Sequence, residues 1–167
     1  KTLINTMQPK NAVIIGAGYI GLELAESFHE LTIKTTIVEK AARILPRFDP
    51  EMAQPVHDHL LENRVELILG DGLTKLHGEN GRVIAVETES GKMIPADLVV
   101  IAIGVKPNVE LAKAAGIELG KTGAIAVDSR METRTPGIFA AGDCCETINR
   151  ITRTPIWMPL GDIANLQ

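Results

Sequence analysis

The segment Gly16-Ala17-Gly18-Tyr19-Ile20-Gly21 constrains the fold of this chain more than any other. Its glycines stand between two different periodicities. Before them, Asn11 to Ile15 is a short apolar run, the form of a buried strand. After them, Ile20, Leu24, Phe28 and Leu31 recur at helical spacing and give Tyr19 to Leu31 one apolar face. Thr35 to Val38 is β-branched and reads as the next strand. Strand, helix and strand within about thirty residues make a βαβ unit, whose crossover is right-handed. In such a unit the glycines have separate tasks. Gly16 permits the tight turn out of the strand, Gly18 lets backbone approach a pyrophosphate, and Gly21 lets the helix pack close to the sheet. The helix N-terminus offers unpaired N–H groups and partial positive charge to phosphates. The motif follows a strand, opens a helix and returns to a strand, which is the context that marks a dinucleotide site.

Composition agrees with a buried parallel sheet. Of the 167 residues, 45% are hydrophobic and only 3% aromatic, so the core is aliphatic. The net charge is −4, and no long basic run exists, so no nucleic-acid partner is expected. The longest apolar stretch, Leu98 to Gly104, is too short to cross a bilayer, so no membrane partner is expected either. No basic leader with an apolar run opens the chain, and the only cysteines, Cys144 and Cys145, are neighbours that cannot staple a scaffold. A reducing, cytoplasmic setting is the expectation. Lys1 stands where an initiator Met would, and Gln167 falls inside a helical pattern, so an excised piece of a longer polypeptide is expected.

Further elements follow from local signals. Residues 1–10 read as a polar lead-in ending at Pro9. Asp49-Pro50-Glu51 opens a second helix, with Asp49 as cap, Pro50 in the first turn and Val56, Leu60 and Leu61 as the buried face. Pro55 is expected to kink or delay it. Val65 to Leu69 is another strand. Leu73 to Leu76, Arg82 to Thr88 and Lys92 to Ile94, separated by glycine turns, read as a three-stranded antiparallel meander. Leu98 to Ile103 is a continuous apolar strand. Beyond Pro107, Val109 to Ala115 reads as a short helix, Gly116 to Val127 as turns with a short strand, and Ile138 to Ala141 as a strand. Residues 146–156 read as a loop, and a helix starts from Pro159.

Glu39 ends the second strand about twenty residues past the glycines, where an acid bonds the adenosine ribose 2′-OH. A carboxylate there repels a 2′-phosphate and favours NAD(H) over NADP(H). Lys40 and Arg43, just beyond, pull the other way, because a basic side chain can meet a phosphate. Short-chain dehydrogenase chemistry needs a Tyr and a Lys four residues later. The single tyrosine, Tyr19, has Glu23 at that position, so that chemistry is excluded.

Three motifs in order carry a resemblance. They are Gly16 to Glu23, Ile101-Ala102-Ile103-Gly104-Val105-Lys106-Pro107-Asn108, and Thr135-Pro136-Gly137-Ile138-Phe139-Ala140-Ala141-Gly142-Asp143. Through them the chain resembles the FAD-dependent pyridine nucleotide–disulfide oxidoreductases, in particular the branch of NADH oxidases, NADH peroxidases and coenzyme A-disulfide reductases. The resemblance implies an α/β fold: a Rossmann-like βαβ parallel sheet with a three-stranded antiparallel meander. It implies an NADH-binding domain over 11–108, after the lead-in, and a return segment over 109–167 into an incomplete FAD-binding domain. It implies NADH passing hydride to FAD and then to a disulfide, persulfide, oxygen or peroxide. FAD would be held with the remainder of the polypeptide, which would be a homodimer.

The same resemblance assigns site residues. Tyr19 would lie over the flavin and swing aside for nicotinamide. Glu23 would bind the nicotinamide end. Ile20 and Gly104 would meet the dinucleotide through backbone. Phe48 lies near a position that places an aromatic against adenine. Asp143 would accept from the flavin ribityl chain. Leu160, Gly161 and Asp162 would open a helix facing the flavin pyrimidine ring. The sequence holds no second glycine fingerprint for FAD, so this piece is expected to bind NADH and not to retain flavin or turn over by itself. Two alternatives stand beside this reading. One is the NADH-binding part of a ferredoxin or rubredoxin reductase-like electron-transfer flavoprotein, and the other is a non-enzymatic NAD-binding module. No metal site is expected: His57 and His59, two apart on a helix, point in nearly opposite directions. Cys144 and Cys145 follow the flavin acid rather than occupy the family's active-cysteine position, and are expected as reduced, partly buried thiols.

Overall fold

The strand Asn11–Ile15 (β1) carries almost nothing but aliphatic side chains because both of its faces are covered. In the computed structural model, which describes residues 2–166, the chain forms two compact units, Lys1–Gly104 and Val105–Gln167. The helical placement expected of Gln167 lies outside the described residues.

In the first unit, α1 (Thr2–Met7) precedes β1, followed by α2 (Tyr19–Glu30), β2 (Lys34–Glu39), α3 (Pro50–Glu62) and β3 (Glu66–Leu69). Then come β4 (Leu73–Glu79), β5 (Arg82–Thr88), β6 (Met93–Pro95) and β7 (Leu98–Ile101). One sheet has the order β3-β2-β1-β7, every pair parallel, and the second is the antiparallel meander β4-β5-β6. The α/β class with parallel sheet and meander is therefore as the sequence implies.

Side chains alternate across a strand, and the two faces of β1 and β2 have different partners. Ala12, Ile14 and Ile37 pack with Ala25 and Phe28 of α2, Ala53 and Leu60 of α3, and Ile44. Val13, Ile15 and Val38 pack with Val86, Ile94 and Ala96 of the meander region. Ile14 and Ile37 are register partners and both fully buried. Covering both faces explains why these strands carry continuous apolar runs rather than alternation.

Several local expectations change. The lead-in is helical over Thr2–Met7, because Ile4 packs against the helical core and supplies the tertiary contact that a short polar segment lacks by itself. The buried stripe of α2 is Gly21, Ala25 and Phe28, while Ile20 and Leu31 are about half exposed. Small residues on that stripe bring the helix axis close to the sheet, which turns the larger aliphatic positions outward. In α3 the buried residues are Ala53 and Leu60, seven apart and nearly eclipsed; Val56 and Leu61 are exposed. Asp49 makes no side-chain cap bond, and the helix runs on through Pro55. Pro55 lies inside the helix but is exposed, so its ring takes no space from the core and its missing N–H forfeits a single intrahelical bond.

The second unit is sparse in regular structure: α4 (Glu110–Ala114), a hairpin of β8 (Thr147–Ile148) with β9 (Pro155–Ile156), and α5 (Gly161–Leu166). Its core gathers Val109, Ala112, Ile125 and Cys145. The strand expected at Ile138 to Ala141 is reduced to a single bridge between Glu132 and Phe139, and Leu119 to Ile125 is likewise only a bridge. The loop expected over 146–156 contains the hairpin. Asn149 closes it: its side-chain oxygen accepts the amides of Ile151 and Thr152.

Asp97 ties the first sheet to its entry. Its carboxylate accepts the amides of Lys10 and Asn11 at 3.0 and 2.9 Å and the Asn11 side-chain amide at 3.2 Å. These donors, the Asn11 amide foremost, hold the carboxyl below its ordinary range. A carboxyl lowered by folding contributes stability that is complete above its unfolded value of about 3.9 and lost as pH falls through the lower folded value. Asp97→Asn is expected to lower the urea midpoint near neutral pH. Its deficit against the parent shrinks once the pH passes below the ordinary carboxylate range. Urea unfolding at several pH values measures both, and a deficit that stays constant into acid would refute the assignment.

Candidate functional site

The carboxyl ends of β1, β2 and β7 meet at one edge of the parallel sheet. There the chain leaves β1 toward β2 on one side, while β7 pairs on the other. Such a switch point leaves a crevice outside the strand ends, where ligands of open α/β sheets bind.

The glycine turn sits at this edge. Gly16 has φ +105, and a Cβ built on it would lie 2.5 Å from Ala102 O, so the turn closes against the end of β7 only without a side chain. A Cβ on Gly21 would lie 2.1 Å from Gly16 O and 3.3 Å from Ile14 Cγ2. Gly21 is therefore where α2 touches the turn and β1. At Gly18 the opposite holds: a Cβ would meet nothing within 4 Å. Two of the glycines are filled by the protein's own backbone and the middle one faces open space, the arrangement a pyrophosphate needs.

Hydrogen bonding points the same way. Gly16 N–H donates to Val38 O, and Leu45 N–H donates to Ala17 O. The first intrahelical bond of α2 runs from Leu22 N–H to Gly18 O, so the amides of Tyr19, Ile20 and Gly21 lie ahead of the ladder at its positive end.

Glu39 does more than end β2. Its Oε2 accepts Ala17 N–H at 2.7 Å, and its Oε1 accepts Ala41 N–H at 2.8 Å. The half-buried carboxylate thus fastens the glycine turn to the loop after β2. An ionised carboxylate has about four acceptor positions, so one more hydroxyl can still be bound. Lys40 and Arg43, the two cations beyond it, are both engaged. Lys40 Nζ lies 2.8 Å from Glu89 Oε1, and this acid raises the exposed ammonium above its ordinary value. Arg43 donates to the carbonyls of Pro46 and Phe48 at 3.1 and 3.2 Å.

Tyr19 is half exposed, and its ring meets Phe48 edge to face with centroids 5.6 Å apart. Glu23 follows Tyr19 by one helical turn, on the same side of α2, and is exposed. Ile20 is half exposed beside them, and Gly104 lies beyond β7 with φ +110 and open space at its Cβ position. The turn, Glu39 and the β7 end are thus gathered at one sheet edge, whereas the Lys40 ammonium is paired with Glu89. The tie from Glu39 to Ala17, the Leu45 anchor, the Phe48 contact and the Glu89 partner were not legible in the sequence. Each joins residues of separate segments with no spacing rule to announce it.

Asp143, Leu160, Gly161 and Asp162 belong to the second unit. Asp143 is exposed, and its backbone carbonyl accepts the Trp157 indole N–H at 2.7 Å, which fixes the segment after Gly142. Gly161 and Asp162 open α5, and Leu160 O accepts Ala164 N–H. Cys144 and Cys145 are free thiols with sulfurs 3.6 Å apart. Burial, with the neighbouring thiol second, pushes the Cys145 thiol up to about 12, so it is protonated and a poor nucleophile at neutral pH. Among the described residues no group of three or more His, Cys, Asp or Glu side chains is placed to hold a metal ion.

Comparison with known proteins adds independent findings. The family model described as pyridine nucleotide-disulphide oxidoreductase matches residues 1–156. An NAD(P)H coenzyme A polysulfide/persulfide reductase of Pyrococcus horikoshii is 41% identical over 157 residues, 93% of this chain and 35% of that protein. An NADH oxidase of Methanocaldococcus jannaschii is 41% identical over 156 residues, 93% of this chain and 34% of that protein. Among solved structures, an NAD-dependent persulfide reductase from A. fulgidus superposes with a TM-score of 0.93 at 41% identity, over 99% of this chain and 31% of that one. The chain spans about a third of the length of the curated relatives it matches.

The glycines give a paired test. Gly21→Ala places a methyl against Gly16 O and is expected to cost about 1–3 kcal/mol. Gly18→Ala faces open space with an ordinary φ and is expected to stay within about 1 kcal/mol of the parent. Chemical denaturation of the two variants decides, and equal losses would mean that α2 does not rest on the turn.

Proposed function

Because this chain belongs to the pyridine nucleotide-disulphide oxidoreductase family, we propose that it is the NADH-binding part of a flavin-dependent oxidoreductase. The observation that carries this reading is the glycine turn with open space at Gly18, tied to the Glu39 carboxylate at the parallel-sheet edge. The dinucleotide pyrophosphate lies over Gly18, against the first amides of α2. Glu39 accepts the adenosine ribose hydroxyl, and its charge disfavours a 2′-phosphate. Ile20 and Gly104 meet the dinucleotide by backbone, and Glu23 receives the nicotinamide end.

The residues of the second unit suit a flavin. Asp143 presents an exposed carboxylate, the right acceptor for ribityl hydroxyls, on a segment anchored by Trp157. Leu160, Gly161 and Asp162 open α5 toward the flavin pyrimidine ring. Bound FAD supplies the acceptor for the NADH hydride and passes the electrons on. The chain's own part is to hold the cofactors in place, with Tyr19 covering the flavin until nicotinamide displaces it. The Phe48 edge contact gives the Tyr19 ring a defined resting position. The final acceptor in this reading is a disulfide, persulfide, oxygen or peroxide, in keeping with relatives that are sulfur reductases and an NADH oxidase. The whole protein is a homodimer in this reading, working in the cytoplasm. No described helix is long and apolar enough to cross a membrane.

Titration of the chain with NADH, followed by nicotinamide fluorescence, tests the site. The parent is expected to bind NADH more tightly than NADPH. Gly18→Val, which fills the pyrophosphate position, is expected to weaken NADH about tenfold or more, some 1.4 kcal/mol or above. Equal binding by parent and variant would remove the turn from the site. In the intact polypeptide, anaerobic NADH is expected to bleach the flavin absorption.

A further inference from the structure

Lys40 immediately follows the acid assigned to the ribose, where a cation would favour a 2′-phosphate. Its ammonium is instead held by Glu89, a residue forty-nine positions away, in the turn between β5 and β6. That turn is not loose. Glu89 N–H donates to Gly72 O at 2.8 Å. The Asp71 carboxylate accepts Ser90 N–H at 3.0 Å, Ser90 Oγ–H at 2.7 Å and Gly72 N–H at 3.0 Å. Those bonds, the Ser90 hydroxyl first, keep the Asp71 carboxyl below its ordinary range and so ionised.

Residues 70–72 are in turn fastened to the loop that carries Lys40. Asp71 N–H donates to Glu39 O at 3.1 Å, and Gly70 N–H donates to Ala41 O at 2.9 Å. Gly72 completes the arrangement. A Cβ there would lie 2.7 Å from Glu89 Oε1, so the carboxylate rests across bare backbone on its way to Lys40. Glu89, Gly72, Asp71, Glu39 and Lys40 thus form a closed circuit of short bonds around the end of β2. Arg43, the other cation of this loop, is committed to two backbone carbonyls.

We infer that Glu89, a meander residue outside the dinucleotide fold proper, determines the choice of NADH over NADPH by engaging Lys40. This rests on the proposed NADH site and deepens it. Glu39 repels a 2′-phosphate and Lys40 would attract it. Glu89 pairs with the Lys40 ammonium and offsets its charge, so the repulsion by Glu39 stands. A 2′-phosphate must compete with a preformed carboxylate partner for the lysine that follows the ribose acid.

The test titrates NADH and NADPH into the chain at fixed low ionic strength. It compares the parent, Glu89→Gln, Lys40→Met and the double variant. Glu89→Gln keeps the shape of the side chain and removes its charge. It is expected to tighten NADPH about two- to fivefold, the range of one exposed charge pair, and to leave NADH unchanged. In the Lys40→Met background the same change is expected to bring no gain. Unchanged NADPH affinity in Glu89→Gln overturns the inference, as does a gain that survives without Lys40. Loss of NADH binding in Glu89→Gln also overturns it, since Glu89 would then support the site as a whole. If the parent binds neither nucleotide, the NADH site itself fails, and that outcome is separate from a parent that binds NADH but whose Glu89 variant is unaltered.

Discussion

The approach of α2 to the end of β1 governs the first unit. Gly21 lies so near Gly16 O that no side chain fits between them. Gly16 itself closes on Ala102 at the end of β7. Helix, turn and two strands are therefore pressed together at one edge of the sheet. Two consequences follow from that contact. The small-residue stripe of α2 becomes its buried face, and the positive end of the helix is aimed over the turn rather than past it. The open space left at Gly18 is the complement of the space filled at its two neighbours.

The second face of the sheet has a different role. The meander covers Val13, Ile15 and Val38 and completes the core. Its turns also reach the loop that follows β2. The hydrogen bonds from 70–72 to Glu39 and Ala41, and from Glu89 to Gly72, link the meander to the loop beyond β2. A module that looks like a structural cover thereby supplies, through Glu89, the partner of the lysine that follows Glu39. Exposed ion pairs contribute little stability by themselves. The Lys40–Glu89 pair is exposed at both ends, so its effect is on which partners the Lys40 ammonium meets rather than on folding energy.

Legibility in the sequence followed the range of the interactions. The turn, the βαβ order and the acid at the end of β2 were visible because their physics is local: glycine backbone freedom, helical and strand periodicity, a fixed spacing along one chain segment. The meander was visible through its glycine turns. The exact buried stripes of α2 and α3 were misread, since large aliphatics were favoured over Gly21, Ala25 and Ala53. Periodicity cannot tell which side of a helix comes closest when the contact is made by small residues. The first helix and the β8–β9 hairpin were missed for a related reason. Ile4 needs the packed core to stabilise its helix, and Asn149 needs the turn already formed to bond it. The Ile138 to Ala141 run was apolar enough for a strand but finds only one bridging partner.

The sequence by itself determined that a dinucleotide-type turn, a parallel βαβ core and an acid at the end of β2 exist, because each is written in residues close along the chain. Only the tertiary structure decided what those residues face. It placed Glu39 on the Ala17 amide, Phe48 on Tyr19 and Glu89 on Lys40. Those pairings join segments that have no fixed spacing in the chain. They exist only because the sheet, α2 and the meander bring separate loops to the same edge.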